Sequence, residues 1–135
     1  MLASLLMTAC SPTPAPVDFG ADACAHCQMA IVQQPFAAEL VTTKSKVYKF
    51  DAIECMVHFM DENRETQFAL QLVRDYYNPQ DWQDAAQCQY LISEQLPSPM
   101  GAFLSAYKDE AGAEKMQAAK GGEVLDWKGV RLAVK

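Results

Sequence analysis

VYKFDAIECMVHFMDE, residues 47–62, changes its pattern at Phe50 and Asp51, and that change decides the fold. Val47 to Phe50 reads as a short strand of β-branched and aromatic residues. Asp51 stands where a helix N-cap belongs, with Glu54 three residues on in a capping-box-like pair. The helix it opens runs to about Glu62, with Ile53, Val57 and Met60 along one face. Upstream, Ala30 to Thr43 is extended with an interruption at Pro35, and the turn Lys44-Ser45-Lys46 joins it to Val47–Phe50 as a hairpin. Downstream, a strand from Gln67 to Tyr76 completes a ββαβ unit.

The same order of elements follows again. Gln87 to Ser93 and Gly101 to Tyr107 read as strands, Asp109 to Lys120 as a helix stopped by Gly121-Gly122, and Glu123 to Trp127 as a closing strand. Asn78-Pro79-Gln80-Asp81 marks the boundary. The expectation is an α+β fold, a single domain over residues 22–135 made of two ββαβ halves, about 22–77 and 81–135, whose sheets share one core. A chain of 135 residues with 50% hydrophobic content is long enough to build that core.

Residues 1–9 form an uncharged apolar run that ends in small residues ahead of Cys10, which looks like a lipoprotein signal peptide. In that reading Cys10 carries the lipid, and residues 10–21, with Ser-Pro-Thr-Pro-Ala-Pro from Ser11 to Pro16, form a flexible tether. An ordinary signal peptide cleaved near Ala9 is the plainer alternative. The run falls short of the ~20 apolar residues of a membrane-spanning helix, so the lipid anchor alone would hold the protein to a membrane. The expected location is the cell envelope, facing the periplasm, and Ser11 after the lipidated cysteine points to the outer membrane under Gram-negative sorting rules. A net charge of −6 and a pI near 4.8 exclude nucleic acid as a partner. Five cysteines are an odd number for an exported chain, and Cys10 as anchor leaves four.

Two of those four lie in Cys24-Ala25-His26-Cys27-Gln28-Met29. Redox dithiols, zinc half-sites and copper sites all use a Cys-x-x-Cys spacing. The thioether of Met29 tips the balance toward Cu(I), because soft sulfur donors select soft closed-shell ions. Cys55 and His58, three apart on one face of the first helix, are placed to complete a site. Met100, in Leu96-Pro97-Ser98-Pro99-Met100-Gly101, is a further candidate, since a methionine exposed in a loop asks for a reason. Each has a bland counterpart: a Cys24–Cys27 disulfide or a zinc ion for the loop, and burial in the core for Cys55 and His58. His26 reads as solvated, Met56, Met60 and Met116 as packing, and Cys88 as core.

Several of these segments occur together in one known order. Cys24-x-x-Cys27-x-Met29-Ala30-Ile31, Tyr48-x-Phe50-Asp51 with Cys55-Met56, Pro99-Met100-Gly101 and the late Gly121-Gly122 resemble the NosL family of copper-binding lipoproteins, from about Asp22 to Val130. The resemblance implies a duplicated ββαβ fold similar to that of organomercurial lyase. It implies a Cu(I) metallochaperone rather than an enzyme, one that helps mature the copper centres of nitrous oxide reductase. The receiver would be the reductase or its maturation transporter complex. It supports Cys24, Cys27, Met29 and Met100 as ligands most directly, and Cys55 and His58 less so. The family commonly has Gly before the motif methionine, and Gln28 in that place predicts a less tightly turned loop. A thiol-disulfide exchange lipoprotein using Cys24 and Cys27, or a passive metal-binding lipoprotein, are the alternatives.

Overall fold

Strands β1 (Ala38–Thr42) and β2 (Val47–Phe50) form the expected hairpin in the computed structural model, which describes residues 11–135. The expected signal peptide and Cys10 lie outside the described residues. The extended stretch before the hairpin is shorter than its composition suggests. Pro35 opens a 3₁₀ turn, Gln34–Phe36, where its missing N–H costs nothing, and the strand begins only after it. Helix α1 (Ile53–Glu62) follows β2, and β3 (Phe68–Arg74) returns antiparallel to β1. The capping box does not form: the N-cap is Ala52, with no side-chain capping bond, and both Asp51 and Glu54 are buried with other partners.

The second half repeats the arrangement with β5 (Gln89–Ile92), β6 (Leu104–Tyr107), α2 (Glu110–Lys120) and β7 (Glu123–Leu125), after a short β4 (Trp82–Asp84). One sheet has the order β2-β1-β3-β4 and the other β6-β5-β7. In each half the first strand is therefore central, the second and third flank it, and every pairing is antiparallel. The duplication seen in the sequence is thus a duplication of sheet topology. Strand β6 starts three residues later than expected, because Gly101 (φ 81°) and Phe103 (φ 57°) adopt left-handed backbone that a strand cannot contain.

Two elements depart from the expected pattern. Strand β4 extends the first sheet beyond β3 across the proposed boundary. Arg74 at the end of β3 holds it there, donating to the carbonyls of Pro79 at 2.7 Å and Gln80 at 3.1 Å while its guanidinium lies 4.0 Å over the Trp82 ring. The chain after β7 does not continue as a strand to Trp127. Asp126 accepts from the Gly129 amide at 2.8 Å and N-caps α3 (Trp127–Ala133), which sends Val130 into the core, followed by Val134 just beyond the helix.

The halves share one core. Ala38 and Leu40 of β1, Ile53, Met56, Val57 and Met60 of α1, Tyr90 of β5 and Leu104 and Ala106 of β6 belong to a single cluster, closed by Val130 and Val134. Alternation along the second sheet turns Leu91 and Tyr107 the other way, onto Ala113 and Met116 of α2. Each fully buried large apolar side chain contributes about 1.5–3 kcal/mol. Cys88 is in the shared core, and burial pushes its thiol up to about 12.

The Pro-rich segment is fastened to the domain in its second part. The Ala15 amide donates to Glu39 Oε1 at 2.6 Å, and Val17 and Phe19 pack against the core. Glu39, fully buried on β1 between core-facing Ala38 and Leu40, points to the side this segment covers. Gly122 sets a tight approach at the other end. With φ 102°, it sits so close to the Ile92 carbonyl and Ser93 that a Cβ would collide with backbone. Gly122→Ala is expected to cost about 3 kcal/mol, a fall of ~10 °C in Tm. Gly121→Ala, also left-handed but facing open space, should cost only about 1 kcal/mol. Equal melting of the two variants would contradict the steric account.

Candidate metal centre

The segment from Cys24 to Met29 is a closed loop. An isolated bridge pairs Ala23 with Ala30, the Cys24 amide donates to the Met29 carbonyl at 2.8 Å, and the Gln28 amide donates to the Cys24 carbonyl at 3.0 Å. Ala25 N–H donates to the Lys49 carbonyl at 2.8 Å, and the Lys49 ammonium meets Asp22 at 2.7 Å, so the loop is stitched to β2. Gln28 has φ 67°, in the left-handed region that glycine occupies without strain. The loop is therefore tightly turned despite Gln28, at a conformational cost of roughly 1 kcal/mol. The looser loop expected from this residue does not occur, because the bridge and the amide bonds on both sides over-determine the turn.

This loop lies over the start of α1. The Sγ atoms of Cys24, Cys27 and Cys55 and a carboxylate oxygen of Asp51 all lie within 4.8 Å of one another. Cys27 Sγ is 3.4 Å from Asp51 Oδ1, to which its thiol donates. Among the described residues all four cysteines are free. The three clustered thiols are electrostatically unlike. The Cys55 side chain donates to Cys24 and, with backbone groups of Cys27, Asp51 and His26, lowers its thiol to about 6. Desolvation raises Cys27 to about 11, and the Cys24 sulfur beside Cys55 pushes that thiol upward. One sulfur is thus a ready thiolate near neutral pH, stabilised by a neighbour that keeps its proton.

Beside the cluster is an open cavity of about 490 Å³, bordered by Cys55, His58, His26, Glu54 and Met100. His58, one turn beyond Glu54 on α1, stacks its ring on His26 with centroids 5.4 Å apart, and His26 Nδ1 is 3.5 Å from Glu62 Oε2. Met100 is 47% exposed at this cavity. Met29 is 60% exposed and does not line the cavity.

Of the sequence-derived candidates, Cys24, Cys27 and Cys55 meet in the cluster, His58 and Met100 lie with Cys55 around the cavity, and Met29 is exposed in the same loop as Cys24 and Cys27. Sequence reasoning missed Asp51 as a cluster member and set His26 aside. The signal for Asp51 lay in its position four residues before Cys55, but that same position also fits a helix cap.

No curated protein matches the chain. The crystal structure of the copper chaperone NosL from Shewanella denitrificans superposes with a TM-score of 0.74 at 20% identity, covering 87% of this chain and 95% of that one. The likeness extends to the arrangement of helices and sheets described above. A model of the NosL family matches residues 16–134, nearly the whole of the described chain, and the protein belongs to the NosL family.

Proposed function

We propose that this protein is a Cu(I) chaperone, lipid-anchored through Cys10 and facing the periplasm, that passes copper on for assembly of the nitrous oxide reductase copper centres. The observation that carries the reading is the cluster of three thiols and a carboxylate oxygen within 4.8 Å of one another, beside a cavity bordered by a thioether and an imidazole. Family membership and the shared fold of the Shewanella copper chaperone support it. Cys24 and Cys27 supply thiolates to the ion, Met100 and His58 flank its way in and out past Cys55, and Met29 offers a thioether on the outer surface. Copper is cargo here. The activity is ligand exchange without catalysis, and a loop closed by backbone bonds lets the sulfurs change partners while the fold stays put.

The receiver, reductase or maturation complex, meets the domain close to the membrane. The chain is fastened from Ala15 onward, so the free span from Cys10 reaches about 18 Å when fully extended. The outer membrane is the location we favour, on the strength of Ser11. A thiol-exchange role draws on the lowered Cys24 thiol, but that sulfur is fully buried, and exchange needs an accessible attacking thiolate.

The test is a titration of the reduced protein with Cu(I) against a chromophoric chelator, repeated with Zn(II), which the same sulfur and oxygen donors would hold in a closed tetrahedron. The expected result is about one Cu(I) per chain, with Met100→Ala weakening Cu(I) by about tenfold and leaving Zn(II) unchanged. No competition for Cu(I), together with ready formation of a Cys24–Cys27 disulfide, would move the assignment to thiol exchange.

A further inference from the structure

Glu54 is 2% exposed in the first turn of α1, where a solvated carboxylate would suit the helix N-terminus but a buried one needs partners. Its Oε1 accepts from the Ser98 hydroxyl at 2.6 Å, the Met100 amide at 3.3 Å and the Ala102 amide at 3.4 Å. The Ser98 oxygen in turn accepts from the Leu104 amide at 3.2 Å. These contacts reach across 44 to 48 residues, from the first turn of α1 to the loop ahead of β6. That loop turns through Gly101 at φ 81° and Phe103 at φ 57°. The second oxygen, Oε2, is buried with no partner, and Glu54 itself borders the cavity shared by Cys55, His58 and Met100.

Burying a carboxylate is expensive unless its oxygens are bonded, and leaving one oxygen unpaired adds to that cost. A structural tie between helix and loop could be made more cheaply by an apolar contact or a neutral amide. What this carboxylate does in addition is fix the backbone of Met100 itself to the residue adjoining Cys55. We infer that Glu54 is a positioning residue for the copper site: it latches the Met100 loop to α1 and so holds the Met100 thioether at the cavity beside Cys55. The inference rests on the reading of Met100 as a copper donor. Partners that orient a metal donor typically change affinity by about 10–100-fold when removed.

A mutant cycle in the full protein separates positioning from a general effect on the fold. Glu54→Ala is expected to weaken Cu(I) about as much as Met100→Ala, roughly tenfold, and the double variant to be no weaker than Met100→Ala alone. Glu54→Gln, which retains an acceptor oxygen, should stay within a few-fold of the parent. With methyl-labelled methionine, the Met100 resonance should shift and sharpen in Glu54→Ala before any copper is added, while those of Met56 and Met116 stay in place. Losses that multiply in the double variant, or an unmoved Met100 resonance, would overturn the inference. If Glu54→Ala does not fold, Ser98→Ala removes one of the three donors and runs the same cycle with the same criteria. Parental affinity in Met100→Ala would overturn the copper-donor reading instead, whatever the methyl spectrum of the Glu54 variant shows.

Discussion

Cys24→Ser combined with Cys27→Ser is expected to lower Cu(I) affinity by roughly 1,000-fold or more, about 4 kcal/mol, while the protein still folds. Serine oxygen is a hard donor that does not ionise at neutral pH, so both strong ligands disappear together. Cys55 and Asp51 remain, but one thiol and one hard carboxylate oxygen cannot replace a pair of thiolates for a soft ion. The loop should survive, because its closure comes from the Ala23–Ala30 bridge and from amides rather than from sulfur. A buried hydroxyl at position 24 costs about 1–2 kcal/mol, which leaves a cooperative melt to be measured alongside the copper titration. A double variant that melts normally and binds copper like the parent would remove the cluster from the function.

The sequence exposed the elements that carry local periodicity and hid those that depend on distant contacts. The hairpin, α1 and the repeat of the ββαβ order were legible because alternation, a turn and an apolar helix face each lie within a dozen residues. Strand β4 was not legible: three residues have no period, and what holds them is Arg74, which reaches across the Asn78–Asp81 turn. Helix α3 was masked by Val124 and Trp127, which look like a strand until Asp126 is recognised as a cap.

The site shows the same division. Cys24, Cys27 and Met29 announce themselves in six residues, and Cys55 and His58 by helical spacing. Asp51 and Glu54 were misread together, as the two ends of a capping box. That pattern is local, whereas the partners that claim these side chains lie elsewhere: Cys27, 24 residues before Asp51, and Ser98, 44 residues after Glu54. A buried carboxylate in an otherwise good cap sequence is a conflict visible only once the tertiary neighbours are known.

Copper affinity should depend on pH with a change of slope near 6. Both Cys24 and Cys27 must lose their protons to bind as thiolates, so each protonated thiol costs affinity in proportion to the proton concentration. Cys24, lowered to about 6, is already ionised above that pH and releases nothing on binding. Cys27, raised to about 11, releases one proton throughout the neutral range. Affinity therefore falls by about tenfold for each pH unit between 8 and 6, and by about a hundredfold per unit below 6, where both thiols are protonated. From pH 8 to pH 5 the expected loss is two decades from the first range and two from the second, roughly 10,000-fold. Two thiols with ordinary values near 9 would give the steeper slope over the whole interval, with no break. The position of the break also tests its cause. The largest influence lowering Cys24 is the hydrogen bond from Cys55, so Cys55→Ala should move the break upward, toward 9, and steepen the profile at neutral pH. A break that stays near 6 without Cys55 would assign the lowered thiol to the backbone amides of the loop instead.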